Sequence, residues 1–78
     1  MNTSTVLATF EARLPERDVV VLRSIDDGGE YGEFSAQLLA ALVEENIPVS
    51  TDERDTLARM AREYGDGSEY LPRLTVKD

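Results

Sequence analysis

The sequence predicts an all-α fold: a compact antiparallel bundle of three to four helices, forming one domain over residues 1–78. Three observations support this. Apolar residues recur at helical spacing in four successive segments. Pro, Gly and Asn fall between those segments, where helices stop and start. Only one stretch, "RDVVVLRSI", is β-rich, so a strand formed there would have no partner for its backbone groups.

Val6, Leu7, Phe10 and Leu14 form the first stripe, with Ser4 as its expected cap. Pro15 disfavours helix in the residue before it, so this helix should stop near Leu14. Pro15 can open the next helix, whose positive end suits Glu16 and Asp18. The segment Val19–Ile25 reads two ways. Its three consecutive valines favour a strand, whereas Val19, Leu22 and Ile25 make a helical stripe. Helix is preferred because nothing else in the chain could pair with a strand.

Gly28 or Gly29 should take the left-handed conformation that ends a helix. A third helix is expected from about Glu30 to Glu45, with Tyr31, Phe34, Leu38 and Leu42 inward, widened by Leu39 and Val43. Asn46 and Pro48 should end it, while Ile47 or Val49 plugs the core. Ser50 with Glu53 is a capping box, each side chain serving a backbone N–H of the new helix. That fourth helix carries Leu57, Met60, Ala61 and Tyr64 inward and an Asp55–Arg59 pair outward, and it ends at Gly65. The remainder reads as a turn and a tail pinned by Tyr70, Leu71 and Leu74.

Charge is distributed unevenly. The net charge is −8, and residues 24–53 hold eight acids and no Lys or Arg, while the rest of the chain is balanced. An acidic surface repels phosphate backbones and anionic lipids and attracts basic partners, so neither nucleic acid nor membrane is expected as a partner. The plainer reading is a solvated face that keeps the chain soluble. No run approaches the ~20 apolar residues of a membrane span and nothing resembles a signal peptide, so a cytoplasmic location is expected.

The chain has neither Cys nor His. It therefore lacks disulfides, the usual zinc ligands, and the commonest bases and nucleophiles. No cofactor and no metal are expected. The glycines of "DDGGEYG" do not make a phosphate cradle, because no Lys-Ser/Thr follows and the flanking acids repel phosphate. The ligand spacing of an EF-hand is absent as well. Paired carboxylates remain as possible acids and bases or magnesium ligands. Asp26 with Glu30, and Glu30 with Glu33, would share one helical face if the helix ran through them. Against catalysis, so small a bundle is expected to offer little concave volume for a pocket of ~300 Å³ or more.

A binding role fits this composition better. Clustered carboxylates on a rigid helical face can engage an Arg/Lys-lined surface, and charge complementarity speeds encounter and selects the partner. Asp26, Asp27, Glu30, Glu33, Glu44, Glu45 and Asp52 are the acids of that surface. Tyr31, Tyr64 and Tyr70 are the aromatic anchor candidates, with Tyr31 inside the acidic segment. Glu44 and Glu45 oppose the dipole of the third helix, a local cost that hints at a role elsewhere.

The block "VLRSIDDGGEYGEFSAQLLAALVEENIPVS", preceded by "RLP" and followed by "LARMAREYG", resembles the MafI-like immunity proteins. In that family a helix runs into an Asp-Gly-Glu turn. A helix with a Leu-x-x-Leu core follows, and then an acidic residue before a short Val-containing connection. The resemblance covers roughly Val6 to Leu74, and the chain departs from it at the doubled Gly28-Gly29 and at Phe34-Ser35-Ala36. "EFSAQLL" and "YGDGSEYLP" are more weakly similar to the immunity proteins of nuclease bacteriocins. That second similarity would make Asp66, Ser68, Glu69 and Tyr70 contact residues, although a His-Pro and a paired tyrosine are missing. The resemblance implies a cytoplasmic antidote that occludes a cognate toxin domain with a basic surface and performs no chemistry; separately, the chain is expected to be a monomer when free. A small acidic regulatory module with a non-toxin partner is the alternative, and a carboxylate-dependent enzyme the third reading.

Overall fold

The computed structural model describes all residues, Met1–Asp78, and every regular element is helical: α1 (Thr3–Phe10), a 3₁₀ turn (Glu11–Arg13), α2 (Glu16–Asp27), α3 (Tyr31–Glu44), α4 (Thr51–Tyr64) and a closing 3₁₀ helix (Ser68–Arg73). The cap of α1 is Asn2, whose side chain accepts from the Thr5 N–H at 3.1 Å. Ser4, the expected cap, is the second residue of the helix and gives its hydroxyl to Asp26 instead. Leu14 is extended, as its position before proline requires. Pro15 stands at the cap of α2, one residue earlier than expected, and its carbonyl accepts from Asp18 and Val19.

The ambiguous valine stretch is helix. Val19 and Leu22 are buried and Ile25 is half-buried, while Val20 and Val21 face solvent at 59% and 50% exposure. A strand would have buried alternate residues. The stripe that is buried follows the helical period.

Gly29 turns the chain at φ +71, and the Glu30 N–H closes back onto the Ile25 carbonyl at 3.2 Å. After α3, Asn46 does the same at φ +53 and Ile47 donates to the Leu42 carbonyl at 3.0 Å. The capping box at α4 is complete: Ser50 Oγ accepts from the Glu53 N–H at 3.1 Å, and Glu53 accepts from the Ser50 N–H at 2.9 Å. Gly65 ends α4 in the left-handed conformation.

α3 is the packing centre. It contacts α1, α2, α4 and the closing 3₁₀ helix, and it buries Phe34, Ser35, Leu38, Leu39, Ala41 and Leu42. Around it gather Val6, Leu7, Phe10, Leu22, Val49, Leu57 and Met60, giving one continuous apolar core. Each large side chain fully buried there contributes about 1.5–3 kcal/mol of transfer free energy. Of the two buried hydroxyl residues, Ser35 donates to the Asp66 carbonyl at 2.8 Å and Thr3 to Asp26.

Two long-range ties close the chain. Arg13 reaches Glu53 through two nitrogens, at 2.7 and 3.1 Å, and also donates to the carbonyls of Thr9 and Pro48. The tail does more than rest on Leu74: Val49 and Val76 form a parallel bridge, and Thr51 is held by Asp78. The expected Asp55–Arg59 pair is not among the four ion pairs, which are Met1–Glu63, Arg13–Glu53, Arg17–Glu45 and Arg23–Glu11.

Candidate functional site

The acids of the middle segment fall into groups set by the ends of α3. Asp26 and Asp27 close α2, Glu30 caps α3, and Tyr31 and Glu33 open it. The expectation that Asp26 and Glu30 share one continuous helical face is corrected, because the Gly28–Gly29 turn separates them into two helices. Glu33 and Glu44 do share a face. They lie on the same side of α3 about three turns apart, roughly 16 Å at 1.5 Å per residue. Gln37 lies between them, and all three are exposed. Glu45 is half-buried and bonded to Arg17 at 2.9 Å. Asp52 is exposed in the first turn of α4, where the helix dipole accommodates it.

Of these seven acids only Glu45 has an internal cation. Asp26 is satisfied without charge compensation, since its two oxygens accept from the hydroxyls of Thr3 and Ser4. The fold thus leaves six of the segment's carboxylates without an internal counter-ion.

At one end of the molecule α1, α2 and α3 enclose an open depression of about 490 Å³, lined among others by Thr3, Ser4, Asp26, Asp27 and Tyr31. A second, of about 420 Å³, lies where the 3₁₀ turn meets α2 at Leu14, Val19 and Arg23. The chain therefore carries more concave volume than its size suggested. No three carboxylates gather as a metal ion's ligands would. No helix is long and apolar enough to cross a membrane.

The tyrosines separate into different roles. Tyr31 is exposed and its ring lies against Tyr64, with centroids 5.5 Å apart and planes at 39°. Tyr64 is half-buried, and its hydroxyl donates to the Met1 carbonyl at 2.8 Å. Burial holds the Tyr64 phenol above its ordinary range, assisted by the charge of Glu63 and by Tyr31 and Asp26. Tyr70 packs against the core with Arg73 over its ring.

Thr3 and Ser4 are members of this constellation that the sequence did not announce. They lie more than twenty residues from Asp26, and nothing in the local pattern of either segment points to the other. Asp18 is a further acid the charge map overlooked. It sits beside Glu44 and Val21 in a small groove between α2 and α3, and one of its carboxylate oxygens is buried without a hydrogen-bond partner.

No protein-family model, no curated protein and no solved structure matches the chain.

Proposed function

We propose that this chain is an immunity protein, an antidote that binds a toxin domain with a basic surface and blocks it by occlusion. On this reading the helices form a compact antiparallel bundle and act as a rigid support. The contact is made by Asp26, Asp27, Glu30, Tyr31 and Glu33 at one end of α3, and by Glu44 and its neighbours along the same helix. The protein performs no chemistry.

The observation that carries this reading is the set of six carboxylates without an internal cation, concentrated in a segment that has no Lys or Arg. Such charges do not serve the fold through ion pairs. They remain free to steer a basic partner and to match its surface. The exposed Val21, in the groove with Asp18 and Glu44, adds apolar area of the kind found at the centre of interfaces.

The test is a pull-down from the native cell at low and then moderate salt. It is followed by an activity assay of whatever is retained. One basic toxin-domain protein that survives moderate salt and loses its activity when mixed with one equivalent of the chain would support the reading. A transcription or signalling protein in its place would overturn it. So would a spread of basic proteins that all wash off as salt screens the surface. With the partner in hand, replacing Asp27, Glu30, Glu33 and Glu44 together by Lys should slow association on the order of tenfold or more while the helical spectrum is retained.

A further inference from the structure

The depression between α1, α2 and α3 has a composition that selects one kind of side chain. One wall is the exposed ring of Tyr31, fixed from behind by Tyr64, whose hydroxyl is tied to the Met1 carbonyl. Asp26 and Asp27 line the same space. Asp26 is held in place by the two hydroxyls of Thr3 and Ser4, whereas Asp27 is exposed and makes no hydrogen bond or ion pair within the chain. No Lys or Arg lines the space, and the amino group of Met1 is already bonded to Glu63 at 3.0 Å. The lining therefore combines a positioned aromatic face, an oriented carboxylate and a free carboxylate.

We propose that this depression is the seat of an arginine side chain presented by the bound partner, an inference that rests on the binding role proposed above. A guanidinium is planar, so it can lie over Tyr31 while its edge donates to Asp27. An ammonium is a compact point charge without that edge, and it takes less from the same walls. The depression continues along the α1–α2 seam into a space of about 260 Å³ that shares Ser4, Asp26 and Asp27 with it. The partner's backbone thus has room to leave the seat along that seam.

The probe is N-acetyl-arginine amide, titrated into the full chain and followed by amide and tyrosine-ring NMR. N-acetyl-lysine amide and N-acetyl-citrulline amide serve as comparisons. Arginine should shift the resonances of Thr3, Ser4, Asp26, Asp27 and Tyr31 and saturate at lower concentration than lysine. Citrulline, flat but uncharged, should leave them in place. Asp27→Asn and Tyr31→Leu should each weaken arginine binding about two- to fivefold, the range of an exposed charge pair or cation–π contact. Both residues are exposed, and Leu keeps an apolar body against Tyr64. Shifts spread equally over Glu33, Glu44 and Asp52, the same for arginine and lysine, would overturn the seat. Unchanged binding in both variants would do so too. Failure here leaves the pull-down to judge the immunity reading by itself. A specific arginine seat in a chain that retains no toxin would sink that reading and keep the seat.

Discussion

Replacing Arg13 by Ala probes the tie that joins the first half of the chain to the start of α4. In the native state the guanidinium bonds Glu53 through both terminal nitrogens, donates to two carbonyls at 3.1 Å, and lies 4.9 Å over the Phe10 ring. The Arg13 side chain is 37% exposed and that of Glu53 24%, so the pair is discounted to the upper end of the exposed range, about 1 kcal/mol. The carbonyl contacts and the stacked ring bring the expected loss to about 2 kcal/mol. For a chain of this length that lowers Tm by roughly 8–16 °C.

The loss should depend on pH. Arg13 is the main cause that holds the Glu53 carboxyl below its ordinary range, with the Ser50 N–H second. A carboxyl lowered by folding stabilises above the unfolded value, near 4.5, and that stabilisation fades as pH falls through the lower folded value. Thermal melts of both chains should therefore differ most at pH 7, and the Glu53 share of the difference should fade as pH falls below about 4.5, leaving the share from the carbonyl and ring contacts. A Tm change under about 2 °C at pH 7, or a difference independent of pH, would refute the assignment of Arg13 and Glu53 as the tie.

Gly67→Ala should destabilise by about 2 kcal/mol or more, read as a shifted urea midpoint. Gly67 is at φ +93, and an added Cβ would fall 2.9 Å from the Cα of Ala36, a backbone atom that cannot swing aside. Glu44→Lys should raise stability by about 0.5 kcal/mol while weakening partner binding, because it replaces an acid at the negative end of α3 and sets a cation beside Asp18. Calorimetry on the free chain and titration against the partner read the two effects separately, and a loss of stability would show that Glu44 serves the fold.

The elements were legible because each has a local cause. The Ser50–Glu53 capping box, Gly65 and the Phe34–Leu38–Leu42 stripe act within a few residues, so local sequence is enough to place them. Helix in Val19–Ile25 followed from the lack of any partner strand. The Val49–Val76 bridge was missed because it depends on a return of the chain over more than twenty residues, and the closing 3₁₀ helix because Pro72 stands inside it. The cap of α1 was displaced because Ser4 has a competing bond to Asp26, which only the packed α1–α2 pair offers.

The sequence by itself determined the four α-helical segments, most of the stripe each turns inward (Tyr31, expected inward, is exposed), and that one segment would carry the net negative charge. These follow from periodicity, capping chemistry and composition, all short-range or additive. The tertiary structure decided which acids keep their charge free and which are occupied. It paired Glu45 with Arg17, gave Asp26 to two hydroxyls, and left Asp27 open beside Tyr31. Those outcomes depend on helices crossing in space, and a hydrogen bond between residues 3 and 26 has no signature in the spacing of either segment.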